Sequence, residues 1–395
     1  MGRKSENRLK ILFCQKTFNP TRGGVGKVTW ILVRALRRLG VDAFVIATKN
    51  FGYSDENVTF MPSGNFDDSS ENESFLSDFI RDNAIDVLIN QEGLGRYGFD
   101  LFRKVCANKC ALVSVVHSQP LGAVKNFIYS KRLKFQKYKL VWLLNLLWVR
   151  PLRDIVVFLY KLKYVGHFRK LCEFSDKVVL LSELHKSDIV EYLGRCPDNV
   201  VAIPNPIDIS EPALNCKKKK QVLWVGRVDS GKRLDVFIKI WERLYSEFPD
   251  WEAFVLGDGV CLPAQKEYVQ NRKIPRVNFM GFQPSKKYFD ESEIYCATTS
   301  FEGFGMTILE AVLAKCVPVA FRTFDSIEDL ILDGKNGFLV PPYDIEKYVG
   351  TMRRLMSDSE LRESLRKNAE CVSNRFDSGL IAKKWLDLFS QIVRR

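Results

Sequence analysis

The chain has 395 residues, a formal net charge of +13, and 46% hydrophobic and 27% charged residues. Its length predicts two or more domains with separate cores, and its composition excludes an intrinsically disordered chain. The ten cysteines form no Cys-x-x-Cys pair, and no histidine lies near the closest two, Cys106 and Cys110. We interpret them as reduced core residues in the cytosol and expect no metal site. No signal-peptide pattern precedes the first apolar run, Leu9–Cys14, so we expect a cytoplasmic protein.

Short apolar runs alternate with helical patterns in the first half, which favours βαβ units and a doubly wound parallel sheet. The predicted strands are Leu9–Cys14, Ala43–Thr48, Asp86–Asn90, Leu112–His117, Lys177–Leu181 and Val200–Ile203. A helix predicted at Val25–Leu39 follows the first strand directly and ends at Gly40. Ligands of such sheets bind where strands end, so the turns after the strands are the expected site.

The loop at residues 21–27 has the sequence TRGGVGK and separates the first strand from its helix. A glycine-rich loop that opens a helix predicts an anion site or a close backbone approach near Gly24. The P-loop pattern is absent because Thr21 and Val28 occupy two of its required positions. A dinucleotide fingerprint is absent because Thr29 replaces its third glycine. A tight turn that serves packing is the alternative.

His117, one of three histidines, ends a predicted strand and would face the cleft. We predict that it donates a hydrogen bond to a substrate hydroxyl or stabilises developing charge. A purely structural histidine is the alternative. His167 and His185 lie in helical, basic surroundings, and we assign them no chemistry.

A basic and aromatic segment extends from Ser118 to Lys170, with twelve Lys or Arg residues, one acidic residue and ten aromatic residues. Its apolar runs Val141–Leu147 and Ile155–Leu162 are too short to span a bilayer. Mixed basic and aromatic helical sequence is typical of contact with anionic lipid. We predict a membrane-contact insertion at residues 118–172 and peripheral binding to the inner membrane surface, and expect no nucleic acid partner. An ordinary packed basic insertion is the alternative.

The prolines of residues 204–208 and the four lysines at 217–220 indicate a domain boundary. A second set of βαβ units follows. Its predicted strands are Val222–Val225, Ala253–Leu256, Val277–Met280, Ile294–Ala297, Val317–Ala320 and Gly337–Val340. Its predicted helices are Leu234–Ser246, Pro263–Asn271, Met306–Ala314, Ile327–Leu332 and Ile345–Met356. We assign residues 1–205 to a first domain, 206–378 to a second, and 379–395 to a final helix.

The loop at residues 225–233 leaves the first strand of the second domain and contains Arg227 and Lys232. Both side chains can reach one phosphate group, Arg as a planar fork and Lys as a point charge. We predict diphosphate binding here, with a solvated basic loop as the alternative.

The segment at residues 301–311, FEGFGMTILEA, is the most informative motif. Gly303 and Gly305 allow a tight turn, and the helix that follows aims its first N–H groups at an anion. Glu302 lies in the turn, and Glu310 lies one to two turns inside the helix. Two hydroxyl-accepting carboxylates around a phosphate site match the layout of a nucleotide sugar. An amphipathic helix with exposed Glu residues is the alternative.

Taken together, these motifs resemble the retaining glycosyltransferases of family 4, which have the GT-B fold and build bacterial polysaccharide and lipopolysaccharide. The resemblance covers nearly the whole chain and is most specific in Gly226-Arg227, Lys232, Gly257-Asp258-Gly259, Met280-Gly281-Phe282 and residues 301–311. It implies two Rossmann-like domains facing across a cleft and a final helix that returns to the first domain. It also implies transfer of a hexose from UDP or GDP to a lipid-linked, lipopolysaccharide or capsular acceptor, without a metal or cofactor.

The resemblance further implies a role for each site residue. Arg227 and Lys232 would hold the donor diphosphate, Glu310 the ribose, and Glu302 hydroxyls of the transferred sugar. The further implied contacts are the backbone at Phe304 and Gly305 facing the sugar and diphosphate, Phe282 beside the base, His117 near the sugar ring, and Gly24 near the diphosphate and acceptor.

Two other classes remain open from the sequence. One is a non-enzymatic basic protein that binds a membrane or nucleic acid through residues 118–172. The other is a different enzyme on this fold, a sugar-nucleotide epimerase or a phosphorylase, and the latter would need a pyridoxal-binding lysine that we do not identify.

Overall fold

The structure is a computed structural model and describes residues 8–20, 23–49, 58–93, 95, 98–122, 150–209 and 217–393. The chain divides into two compact units. The first consists of Met1–Pro120, Leu162–Asp208 and Phe376–Arg395, and the second of Leu121–Lys161 and Ile209–Arg375. The grouping of Leu121–Lys161 differs from the sequence assignment of residues 118–172 to the first domain. Residues 123–149, with the apolar run Val141–Leu147, lie outside the described residues.

The helices in the described residues are α1 (Gly24–Arg38), α2 (Ser70–Asp82), α3 (Phe99–Cys106), α4 (Arg150–Phe174), α5 (Lys186–Leu193), α6 (Leu234–Glu242), α7 (Leu262–Asn271), α8 (Lys286–Glu291), α9 (Met306–Leu313), α10 (Ile327–Leu330), α11 (Ile345–Ser357), α12 (Ser359–Lys367), α13 (Glu370–Ser373) and α14 (Ser378–Ile392). Within the part of the chain that is described, no helix has the length and apolarity needed to cross a bilayer.

The first unit holds a parallel sheet of seven strands in the order β3-β2-β1-β4-β5-β6-β7. The strands are β1 (Lys10–Thr17), β2 (Asp42–Lys49), β3 (Val58–Phe60), β4 (Val87–Asn90), β5 (Ala111–Val116), β6 (Lys177–Leu180) and β7 (Val200–Ala202). Residues 11–14 of β1 are fully buried, because helices cover both faces of a doubly wound sheet. The chain order reverses between β1 and β4, which places a topological switch point at their carboxyl ends.

The last helix belongs to the first unit. Helix α14 packs on α1, and the carboxylate Oδ1 of Asp377 caps its start by accepting from the amides of Gly379 and Leu380 at 3.0 and 3.1 Å. Ile207 forms a parallel bridge with Asp377. The final helix thus begins at Ser378, one residue before the start assigned from the sequence, and the cap explains where it begins.

The second unit holds a parallel sheet of six strands in the order β10-β9-β8-β11-β12-β13. The strands are β8 (Lys219–Val225), β9 (Glu252–Leu256), β10 (Val277–Gly281), β11 (Ser292–Ala297), β12 (Val317–Phe321) and β13 (Phe338–Val340). Its core includes the fully buried rings of Trp224, Trp241, Trp251 and Tyr348. The switch point lies between β8 and β11, so a ligand site is expected where those two strands end.

The predicted fold class of two doubly wound parallel sheets is confirmed. Each predicted strand is present, with its ends moved by up to three residues. The sequence prediction omitted the short edge strand β3 and helices α2, α3, α5 and α8.

Candidate active site

Lys232 and Glu302 meet at the switch point of the second unit. Lys232 lies in the loop that follows β8, and Glu302 lies in the loop that follows β11. The Nζ of Lys232 donates to Oε1 of Glu302 in an ion pair. The two side chains are 24% and 19% exposed, so the pair is shielded from much of the solvent screening that weakens surface ion pairs.

Asp229 organises the basic loop, a role that the sequence interpretation missed. Its Oδ1 accepts from the amides of Gly231 and Lys232 at 2.9 and 3.0 Å. Its Oδ2 accepts from Nε of Arg227 at 2.6 Å. The Asp229 carboxylate therefore holds both the backbone of Lys232 and the side chain of Arg227, which is 78% exposed. The Lys232 side chain pairs with Glu302 instead. The signal was an Asp two residues before a Gly, a pattern typical of an Asx turn.

Thr298 connects the loop after β8 with the loop after β11. Its Oγ1 lies 3.1 and 2.9 Å from the carbonyls of Lys232 and Arg233, and it accepts from Nε1 of buried Trp224 at 3.1 Å. The amide of Ser300 also donates to the carbonyl of Gly231 at 2.7 Å. Because each loop is hydrogen-bonded to the other, these contacts fix the backbone on both sides of the Lys232–Glu302 pair.

Two glycines of the loop after β9 allow it to contact the loop after β8. A Cβ at Gly257 would lie 1.8 Å from the carbonyl oxygen of Gly226, and one at Gly259 would lie 2.4 Å from that of Val228. Their φ angles are +138° and +155°. The amide of Val228 also donates to the carbonyl of Asp258 at 2.9 Å. Glycine is therefore required here for close packing, and this packing positions the basic loop.

Helix α9 begins beside Glu302. Gly305 precedes it with φ +94°, in the left-handed region, and the first helical hydrogen bond runs from the Ile308 amide to the Gly305 carbonyl at 2.9 Å. The start of the helix carries partial positive charge, which favours an anion. Phe304 is only 2% exposed, so its side chain belongs to the core and only its backbone can contribute to the site.

Glu310 lies in α9, partly buried, and its Oε2 accepts from Oγ of Ser285 at 3.3 Å. Ser285 belongs to the loop after β10, which also contains Phe282, 55% exposed. Glu302 and Glu310 thus border different loops, as expected if they contact different parts of one extended ligand. A small pocket between Lys232 and Glu302 is lined also by Tyr295, Thr298 and Thr307.

The other predicted residues lie at the carboxyl edge of the first sheet. Gly24 starts α1 and is exposed, with no atom within 4 Å of an added Cβ. Gly26 is different, because its Cβ would lie 2.7 Å from the carbonyl oxygen of Asn19. Gly26 therefore serves packing, as the alternative interpretation of the loop expects, and the anion site near Gly24 stays a prediction.

His117 follows β5, and its partner Gln91 follows the neighbouring strand β4. Nε2 of His117 contacts Oε1 of Gln91. Since an amide oxygen only accepts, Nε2 carries the proton and Nδ1 is the acceptor of a neutral ring. Desolvation lowers the pKa of His117 to about 4. The predicted hydrogen-bond donation would need Nε2, which is engaged, so this ring is suited to accept from a hydroxyl through Nδ1.

His167 has a structural environment. Its Nε2 lies 3.1 Å from the carbonyl of Gly93, and the ring of Phe99 packs edge-on against it. Within the described residues, no group of three or more His, Cys, Asp or Glu side chains is arranged to hold a metal ion.

These residues form a candidate site for an anion and for hydroxyl groups at the switch point of a Rossmann-like unit. Two family models match the chain: the one described as Glycosyltransferase Family 4 matches residues 22–211, and the one described as Glycosyl transferases group 1 matches residues 207–371. The chain belongs to the family 4 glycosyltransferases of the GT-B fold, and the resemblance to family 4 seen in the motifs is confirmed.

Individual relatives are distant. An exopolysaccharide phosphotransferase of Streptomyces coelicolor is 28% identical over 225 residues, which cover 56% of this chain and 24% of that protein. An N-acetyl-D-galactosaminyltransferase of Campylobacter jejuni, named for a glycan on PP-undecaprenol, is 26% identical over 216 residues, covering 54% of this chain and 60% of that protein. The chain thus spans less than two thirds of either relative. The solved structure of Anabaena HepE with UDP and glucose has the same fold, with a TM-score of 0.74 and 16% identity over 98% of this chain and 100% of that one.

Proposed function

We propose that this protein is a retaining, metal-independent glycosyltransferase that moves a hexose from a UDP-sugar to a lipid-linked or polysaccharide acceptor. The observation that carries the proposal is the Lys232–Glu302 pair at the switch point of a family 4 chain. A cation and a carboxylate side by side suit the two halves of a donor, its diphosphate and its sugar hydroxyls. The UDP and glucose bound by HepE support the choice of uridine.

The donor would make contact along the carboxyl edge of the second sheet. Lys232 and Arg227 would neutralise the diphosphate together with the start of α9. Glu302 would accept from hydroxyls of the sugar. Further along the same motif, Glu310 in α9 would accept from the ribose, and Phe282 would lie beside the base. The backbone at Phe304 and Gly305 would face the sugar and diphosphate, because the Phe304 side chain is buried.

Binding of the donor would rearrange the ion pair. A diphosphate competes with Glu302 for Lys232, because both are oxyanions within reach of one ammonium group. Glu302 then loses its cationic partner and is available to accept from sugar hydroxyls. The diphosphate and the sugar are thereby recognised in a coupled way, and binding energy from the phosphate is used to prepare the sugar contact.

Catalysis would come from positioning and charge stabilisation. As the bond from the anomeric carbon to the diphosphate breaks, negative charge grows on the leaving oxygen, where Lys232, Arg227 and the α9 start would stabilise it. Family resemblance indicates attack from the same face, with the leaving phosphate taking the acceptor proton and the anomeric configuration retained. His117 is proposed to lie near the sugar ring and to accept from a hydroxyl, and Gly24 to lie near the diphosphate and acceptor. The configuration of the product, measured by proton NMR, tests retention, and full activity in EDTA is the expected outcome for a metal-independent reaction.

A thermal-shift panel of UDP, GDP and their sugars tests the donor, since a ligand of the native state raises the melting temperature. UDP and a UDP-sugar should stabilise the wild type, and Lys232→Ala should lose most of that shift. The matched control is Arg353→Ala, because Arg353 forms an exposed ion pair with Glu247 in the same unit, outside the site. No shift with any nucleotide would refute the proposal, and a shift with GDP alone would change the donor.

The acceptor class needs its own assay. The Campylobacter relative is named for a lipid-linked glycan, and the Streptomyces relative for an exopolysaccharide. Radiolabelled sugar should pass to a lipid extract or polysaccharide of the source cell, and Glu302→Ala should abolish that transfer. The melting temperature of Glu302→Ala should fall by no more than the loss of one ion pair would cause. Full transfer by Glu302→Ala would contradict its role.

A further inference from the structure

A groove lies at the carboxyl ends of β12 and β13 in the second unit, and we call it the β12–β13 groove. Its volume is about 440 Å³, within the range of small-molecule sites. It is formed by the loop after β12, by α10 and by the loop after β13. The polar and apolar side chains that line it include Arg322, Thr323, Asp325, Glu328, Pro342 and Tyr343. None of them belongs to the candidate active site described above.

Two hydrogen bonds hold the groove beside Glu302. Oγ1 of Thr323 donates to the carbonyl of Thr299 at 2.8 Å, and Oγ of Ser326 donates to the carbonyl of Gly303 at 3.1 Å. Thr299 and Gly303 lie on either side of Glu302 in the loop after β11. The groove is therefore fixed to the loop that carries this carboxylate.

The strand order gives the position of the groove relative to the proposed donor. Lys232 follows β8, Glu302 follows β11, and β12 and β13 come next in the same direction. Neighbouring strands are about 4.8 Å apart, and a pyranose ring is about as wide as that spacing. A single hexose held by Glu302 would lie at the end of β11. The groove lies one to two strand spacings further along the edge, where a second sugar unit fits.

Arg322 and Glu328 supply the groups that bind sugar hydroxyls. Nη1 of Arg322 lies 3.3 Å from Oε1 of Glu328, and the two side chains are 51% and 50% exposed. A guanidinium donates and a carboxylate accepts, so the pair can bind two neighbouring hydroxyls of one ring. With Asp325, the lining has one basic and two acidic side chains. This excess of negative charge disfavours a phosphate group or a nucleic acid and favours an uncharged polar ligand.

Tyr343 adds an aromatic ring to the same groove. Its φ of +64° lies in the left-handed region, which bulky residues rarely adopt. The ring packs against that of Phe321, with centroids 6.0 Å apart. Strained backbone of this kind is often found at ligand sites. An aromatic ring beside a guanidinium and a carboxylate suits a pyranose, which has an apolar face and a rim of hydroxyls.

We propose that the β12–β13 groove binds a sugar unit of the glycan acceptor. Arg322 and Glu328 bind its hydroxyls, and Tyr343 covers its apolar face. They act as positioning residues, because they hold the acceptor beside the hexose at Glu302 and take no part in the bond that breaks. This inference rests on the proposed function and specifies a part of the second unit that recognises the acceptor.

The test is saturation-transfer difference NMR on the full chain with UDP present. The probes are the methyl glycosides of glucose, galactose, N-acetylglucosamine and N-acetylgalactosamine. The wild type should transfer saturation to at least one of them. Arg322→Gln and Glu328→Gln should each weaken its binding by about tenfold, because each removes a charged partner of a hydroxyl. The matched control is Arg353→Gln, since Arg353 is 45% exposed and forms an ion pair outside the groove.

A thermal-shift measurement separates this inference from the proposed function. UDP should raise the melting temperature of Arg322→Gln as much as that of the wild type. If UDP binds but no glycoside does, or if both variants bind the glycoside as the wild type does, the inference is wrong and the proposed function stands. If no nucleotide binds, both are wrong.

Two further results would assign the groove or the glycoside differently. Glycoside binding that Glu302→Ala loses and Arg322→Gln keeps would place the glycoside at the donor-sugar position and overturn the inference. Weaker binding of UDP-glucose by Arg322→Gln, with unchanged binding of UDP, would assign the groove to the transferred hexose and overturn it as well.

Discussion

Replacing Lys232 should weaken UDP binding, whereas replacing its ion-pair partner Glu302 should strengthen it. The variants are Lys232→Met, Glu302→Gln and both together. The pair is 24% and 19% exposed, between a surface ion pair and a fully buried one. We therefore expect each single variant to lower the free energy of unfolding by about 1–2 kcal/mol, with a coupling energy of about 1 kcal/mol in the cycle.

The effect on UDP follows from competition for one ammonium group. Lys232→Met should weaken UDP binding by about 10–100-fold, because it removes a charge-assisted hydrogen bond to phosphate. Glu302→Gln should strengthen UDP binding by about fivefold, the factor that corresponds to a coupling of about 1 kcal/mol. UDP has no hexose, so it gains from the released lysine and loses nothing. Sugar transfer by Glu302→Gln should still fall by about 100-fold or more, because the sugar contact is lost.

Isothermal titration calorimetry with UDP and denaturant unfolding measure the two quantities. The control cycle uses Arg353 and Glu247, which form an exposed ion pair in the same unit. The nitrogen–oxygen distances of this pair are 2.6 and 2.8 Å. That cycle should show at most about 1 kcal/mol of coupling and no change in UDP affinity. If Glu302→Gln weakens UDP as much as Lys232→Met does, Glu302 does not compete with the diphosphate, and the exchange of partners is refuted.

Two further predictions concern the loop packing and His117. Gly257→Ala should lower the free energy of unfolding by about 2–4 kcal/mol and remove UDP binding, because its Cβ would overlap the Gly226 carbonyl. Gly281→Ala, at φ +68° with nothing within 4 Å, should cost only about 1 kcal/mol in the same urea titration. His117 has a folded pKa of about 4, below its ordinary value, so the unfolded chain binds more protons between about pH 6.5 and 4. Stability should fall as the pH is lowered through that window, by up to about 3 kcal/mol, and His117→Gln should remove this slope. An acid limb of activity near pH 6.5 would contradict a neutral, desolvated ring.

The elements that the sequence predicted well are those whose signal is local. Residues 11–14 of β1 are all buried, so the strand appears as an unbroken apolar run. The edge strand Val58–Phe60 is only half-buried and three residues long, so it has no such run. Helix α2 buries only Asn72, Leu76 and Ile80, which leaves a weak helical period, and its clearest signal was the cap that Ser69 supplies.

The residues of the candidate site likewise divide into those with a local sequence signal and those without one. Gly257, Gly305 and the position of Lys232 after a strand follow from turn chemistry and topology, which a short stretch of sequence reveals. The Lys232–Glu302 pair joins residues 70 positions apart and exists only because β8 and β11 are neighbours in the sheet. The sequence predicted a cation in one loop and a carboxylate in another, and the fold joins them in one ion pair.

His117 shows how a neighbouring strand bears on the hydrogen bonds that a histidine can make. From residue type and strand position alone, a histidine is equally suited to donate or to accept a hydrogen bond. Gln91 ends the adjacent strand, 26 positions earlier, and its amide oxygen takes the Nε2 proton of His117. Desolvation keeps the ring neutral at physiological pH, so it cannot act as a cation there. What remains is a fixed acceptor at Nδ1, and Gln91→Leu should therefore free the Nε2 proton and reduce transfer through misorientation of the ring, with little change in UDP affinity.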